Sequence, residues 1–176
     1  MHKVILFRGG MCGDIILCMI NKDYVYSVYP LIQDKYRVRM KEYYDFTDRQ
    51  KQNYFETMDG YTLSHDTDFC KQLPSANVTQ LYCSDESMIE KFADRFWIKN
   101  KYTRVKHVKK DLDINESYGL AKDMKAWQKF HIFKNRFDIK NVYKATFVDE
   151  VNERFGIKDI EWAKTIHTIW RKSEHV

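Results

Sequence analysis

The sequence predicts an α/β fold, a single three-layer domain with a mostly parallel sheet. A short apolar run rich in β-formers occurs at positions 2–8, and two further candidate strands at 61–64 and 78–83. The first and third lead directly into helical patterns, and parallel strands require helical crossovers. The length of 176 residues and mass of 21.3 kDa suit one domain over 1–176. With 44% hydrophobic and 31% charged residues, the composition is that of a globular chain. It excludes a disordered or collagen-like one.

The run His2-Lys3-Val4-Ile5-Leu6-Phe7-Arg8 reads as a buried strand ending at a glycine cluster. Asp14 then opens a helix carrying Ile15, Ile16, Leu17, Met19 and Ile20. Tyr24 to Tyr44 mixes aromatic and basic residues and suits either a strand with a loop or an irregular connection. Thr47 starts a polar helix through Met58, stopped by Asp59-Gly60. Tyr61 to Ser64 is a second strand, followed by the polar loop His65-Asp66-Thr67-Asp68, and Val78 to Cys83 is a third. Ser84 or Asp85 caps a helix whose Met88, Ile89, Phe92 and Phe96 keep helical spacing. The final third reads as helical. One helix carries Leu120, Met124, Trp127 and His131; Asp149 to Phe155 forms a second, ended by Gly156; Asp159 caps a third with Ile160, Ala163, Ile166, Ile169 and Trp170 on one face.

Glycine is scarce, six in all, yet Gly9, Gly10 and Gly13 fall within five positions. The segment Arg8-Gly9-Gly10-Met11-Cys12-Gly13-Asp14 joins a strand to a helix. A helix start offers unpaired N–H groups and a positive dipole end, so small residues before it suit an anion. The simpler account is a tight turn with Asp14 as a helix-start residue. No Lys-Ser/Thr pair follows Gly13, which excludes the usual nucleoside triphosphatase loop, and G-x-G-x-x-G spacing is absent.

Taken with Leu63-Ser64-His65, the Val78–Cys83 strand and its helix, Phe155-Gly156-Ile157 and Ile166-His167-Thr168-Ile169-Trp170, the chain resembles short sulfotransferase-like P-loop proteins, including ones carried by phages. The resemblance implies a P-loop-like strand-loop-helix at the N-terminus and 3′-phosphoadenylyl sulfate as cofactor. Arg8, Gly9, Gly10, Met11, Cys12, Gly13 and Asp14 would meet its phosphosulfate end, and sulfuryl transfer would be the reaction. The loop itself carries no Lys or Arg after Arg8, and no Arg lies between Gln80 and Phe92. A catalytically degenerate member of the same fold, serving as a binding or structural component, of a virus among others, is therefore an alternative. The same loop is similar to the first loop of heptosyltransferase-like glycosyltransferases, which implies Asp14 as a base toward an acceptor.

His65, just after a strand, is the catalytic candidate for an acceptor hydroxyl, set against an ordinary exposed loop. Lys99, Lys101, Arg104, Lys106, Lys109 and Lys110, with no acid among them, suit either nucleic acid or a solvated basic face. The net charge of +5 is compatible with an anionic nucleotide ligand. Cys12, Cys18, Cys70 and Cys83 lack metal or disulfide spacing and read as reduced thiols, Cys12 being placed for a lowered pKa beside the helix start. His131, His167, Trp127 and Trp170 read as core. The six-residue apolar run Ile15 to Ile20 falls short of the roughly 18 needed to cross a bilayer, and no signal-peptide pattern opens the chain. The expectation is a cytoplasmic protein with no membrane partner and no metal.

Overall fold

The computed structural model describes residues 3–20, 60–104 and 114–173. The chain forms β1 (Lys3–Leu6), α1 (Gly13–Ile20), β2 (Tyr61–Ser64), α2 (Thr67–Lys71), a 3-10 turn (Ser75–Asn77) and β3 (Val78–Tyr82). It continues with α3 (Glu86–Arg104), α4 (Ile114–Phe130), β4 (Arg136–Asp138), α5 (Phe147–Phe155) and α6 (Ile160–Ser173). The fold is α/β; among the described residues, four strands pair in the order β2-β1-β3-β4, each pairing parallel. Register is fixed by Ile5 opposite both Leu63 and Thr79, and by Leu81 opposite Phe137.

Consecutive residues Val4, Ile5 and Leu6 are buried, as are Val78, Thr79, Gln80 and Leu81. Neither face of these strands meets water, which is why β1 runs apolar instead of alternating, whereas β3 buries the polar Thr79 and Gln80 between Val78 and Leu81. α1 packs on α5 and α6, while α3 packs along α4. The α1–α6 contact is pinned where the Trp162 indole donates to the Cys18 carbonyl at 2.9 Å. Lys125 of α4 bridges Glu90 and Glu86 of α3 at 3.0 and 3.2 Å.

The first three strands and the helices after the glycine loop, after β3 and at 147–173 lie where the sequence indicates. Two segments differ, the polar run at 65–68 and β4, and the basic run, given no element by the sequence, falls partly on a helix. The polar run at 65–68 is a helix start, because the Asp66 carboxylate accepts the Phe69 amide at 2.9 Å and caps α2. The basic run begins inside α3, where Lys99, Lys101 and Arg104 lie on the helix. β4 interrupts the expected all-helical final third; at three residues it is too short to show alternation. The Tyr24–Tyr44 and Thr47–Met58 segments and Lys106, Lys109 and Lys110 lie outside the described residues.

Candidate functional site

β1 leads through α1 toward β2 on one side, whereas β3 leads through α3 and α4 to β4 on the other. The strand order therefore reverses between β1 and β3, and ligands of open α/β sheets bind beyond the carboxyl ends of the strands at such a point. The glycine loop stands there. The Met11 amide donates to the Arg8 carbonyl at 3.0 Å and Gly10 has φ +90°, the pattern of a type II turn, whose third position requires a positive φ.

Cys12 follows with φ +58°, a left-handed conformation that costs a residue bearing a Cβ. Gly10 and Cys12 thus alternate with Met11 and Gly13, neither of which has positive φ. Alternation of this kind is the backbone form of an anion nest, with the Met11 amide already given to the Arg8 carbonyl. The loop backbone fits a phosphate or sulfate group on this ground.

The glycines also serve the protein's own packing. A Cβ on Gly10 would stand 2.7 Å from the Met124 methyl and 2.9 Å from Phe96 Cβ, and one on Gly13 would meet the Phe7 ring at 2.7 Å. Gly9 lies against the Phe96 ring, 3.3 Å from where its Cβ would be. α3 and α4 therefore close on one side of the loop, and no larger residue is admitted at Gly10 or Gly13.

Arg8 is half-exposed and donates from Nε and Nη2 to the Asp123 carboxylate at 2.9 and 2.6 Å, tying the loop to α4. Cys12 is buried, with Arg95 Nη1 at 3.1 Å from its Sγ and the Arg95 guanidinium 4.7 Å from the Trp170 ring centre. Arg95 is a cation at the loop that motif reading missed. Its trace in the sequence is an Arg three residues after Phe92 and next to Phe96, on the apolar stripe of α3. Asp123, 115 residues from Arg8, leaves no comparable trace. Asp14 sits in the first turn of α1, half-buried.

His65 follows β2, and its ring centre lies 4.1 Å from that of Phe7. Its Nδ1 is 2.8 Å from the Phe7 carbonyl. A carbonyl only accepts, so Nδ1 carries the proton and in the neutral ring Nε2 holds the lone pair. The Phe7 backbone thus joins His65 to the residue before Arg8. Beyond β3, Gln128 occupies the Cys83 backbone, accepting from its N–H at 3.0 Å and donating to its C=O at 2.9 Å. Ser84 bonds to Asp138 through both its amide and its hydroxyl. The carboxyl end of β3 is thus committed to structure, and the loop residues and His65 cluster on the β1–β2 side.

All four cysteines are buried. Burial pushes the Cys70 thiol up to about 12 and the Cys83 thiol up to about 11. Among the described residues, no group of three or more His, Cys, Asp or Glu converges as a metal site, and no helix is long and apolar enough to cross a membrane. Comparison with protein-family models, curated proteins and solved structures yields no match to this chain.

Proposed function

We propose that the protein is a sulfotransferase-like transferase that binds an anionic nucleotide at the carboxyl end of β1. The observation that carries this reading is the alternating backbone at Gly10–Gly13, held at the reversal of strand order with a left-handed Cys12. A three-layer domain is part of the reading, supported by the two-sided burial of β1 and β3. The ligand class is 3′-phosphoadenylyl sulfate, which when bound supplies the sulfuryl group. The Gly9–Asp14 backbone and Arg8 would hold its phosphosulfate end. His65, with Nδ1 committed to Phe7, would orient an acceptor hydroxyl and take its proton at Nε2.

Titration calorimetry with adenosine 3′,5′-bisphosphate tests the proposal. Saturable binding is expected, weakened about tenfold or more by Arg8→Ala, the usual scale of a lost hydrogen bond to a charged group. Arg8→Ala removes a half-exposed ion pair and no buried packing, and an unaltered thermal transition verifies its fold, whereas a Gly13 substitution would report on Phe7 packing. His65→Gln should leave that affinity unchanged and lower sulfuryl transfer by about 100-fold or more.

A second reading, the catalytically degenerate binding or structural component, is favoured by the Arg8–Asp123 pair and by Phe96 and Met124 against the glycines. Absence of bisphosphate binding would select it. The glycosyltransferase-like role of Asp14 would show instead as binding of a nucleotide sugar, reduced in Asp14→Asn. Nucleic-acid binding through Lys99, Lys101, Arg104, Lys106, Lys109 and Lys110 belongs to the same set of proposals. It predicts an affinity that falls steeply with salt.

A further inference from the structure

Two consecutive positions of α4 hold the glycine loop. Asp123 takes the Arg8 side chain, and the Met124 methyl lies against Gly10, 2.7 Å from where a Cβ would stand. The two grips differ in kind. Met124 packs on the backbone of the loop, whereas Asp123 holds a side chain through an ion pair that is open to water, with exposures of 44% for Arg8 and 49% for Asp123. The geometry of that pair is also a weak one. Arg8 Nε and Nη2 both reach Asp123 Oδ2, at 2.9 and 2.6 Å, so a single oxygen takes both bonds. The parallel fork, in which each N–H meets its own oxygen, is the stronger arrangement. Solvent screens what attraction remains. A phosphate or sulfate group offers neighbouring oxygens to the same two N–H groups and completes the fork that Asp123 leaves unformed.

We infer that Asp123 is an autoinhibitory latch on the candidate anion loop: it occupies the Arg8 guanidinium in the free protein and yields it to the oxyanion of an entering ligand. The inference rests on the nucleotide reading above and adds the exchange that binding requires. Asp123 covers the Nε–Nη2 edge of Arg8, and its negative charge opposes an anion approaching the guanidinium elsewhere. The apparent affinity for a ligand is then reduced by the fraction of molecules in which Arg8 is engaged. Because the pair is weak, the latch tunes affinity and does not block the site. Opening it moves a side chain and leaves the loop in place, since Met124 and Phe96 still back the glycines.

Titration calorimetry with adenosine 3′,5′-bisphosphate tests the latch on the full chain, its Asp123→Ala and Arg8→Ala variants and the double variant. Asp123→Ala should bind about threefold more tightly than the unmodified protein. In the Arg8→Ala background the same change should have no effect, because no guanidinium is left to release. Asp123→Asn, which keeps the size of the side chain, should act in the same direction with a smaller gain. Unaltered thermal transitions verify the folds. Equal affinity of the unmodified protein and Asp123→Ala overturns the latch and leaves the nucleotide reading standing. Weaker binding by Asp123→Ala overturns it too, by making the carboxylate a contact of the ligand. An equal gain in both backgrounds overturns it as well, since Asp123 would then act by charge repulsion and not through Arg8. Binding by none of these proteins removes the nucleotide reading and the latch with it.

Discussion

His167 donates from Nε2 to the Val142 carbonyl at 2.7 Å, with its ring stacked near Trp170 and almost no solvent contact. Burial holds its pKa below the ordinary 6.5 and outweighs the hydrogen bond to Val142, which pulls the other way; nearby Arg171 lowers it further. The folded state therefore prefers the neutral ring. Its contribution is complete above pH 6.5 and is lost as pH falls through that value toward the lower folded pKa. Thermal scans should show Tm falling between about pH 7 and 5, the loss of unfolding free energy from this one group being at most about 1.4 kcal/mol per pH unit. His167→Gln should remove that component. Cys70 and Cys83 give the mirror image, since their thiols are raised from 9.0 to about 12 and about 11. The fold favours the protonated thiols, so their stabilisation is complete below pH 9 and declines above it. Iodoacetamide at pH 8 should label these cysteines only after denaturation. Gly10→Ala adds a Cβ at positive φ against Met124 and Phe96, and urea unfolding should register a loss of about 1–3 kcal/mol.

At the scale of elements, Gly119 makes the opposite case to Gly10. It lies exposed within α4 and a Cβ there would meet nothing within 4 Å. Gly119→Ala should therefore stabilise the protein by about 0.5–1 kcal/mol in the same urea experiment. The elements legible in the sequence are those whose signals are local. Asp85 accepts the Ser87 and Met88 amides at 2.9 and 3.4 Å, Asp159 accepts the Trp162 amide at 3.0 Å, and Gly156 takes φ +75° after α5. Each cap acts within a few residues of its own helix. β4 is decided by distant partners instead. Gln80 pairs with Arg136, and the Arg136 guanidinium lies 4.0 Å from the Tyr82 ring centre, contacts that no window of neighbouring residues contains. The His65–Asp68 segment reads as loop because its polarity suits solvent, yet the same Asp66 carboxylate that suggests exposure begins α2.

For the whole molecule, the sequence marks the position of the candidate site through its glycine cluster but not the closure around it. Arg8–Asp123, Arg95–Cys12 and Gly10–Met124 span 115, 83 and 114 residues, so only the assembled fold brings them together. The same dependence holds for α6, whose Ala163, Ile166 and Trp170 are buried and which packs on α1. Deleting 160–173 should bare that face of α1 and abolish the cooperative thermal transition seen by circular dichroism. The central position of β1 has a consequence for synthesis. Lys3 pairs with Tyr61 and Val4 with Val78, so among the described residues β1 pairs with strands that lie far along the chain. On the ribosome, Val4 to Leu6 gain these described sheet partners only after β2, and then β3, have emerged. That wait makes the nascent protein a client for any factor that shields apolar segments during translation.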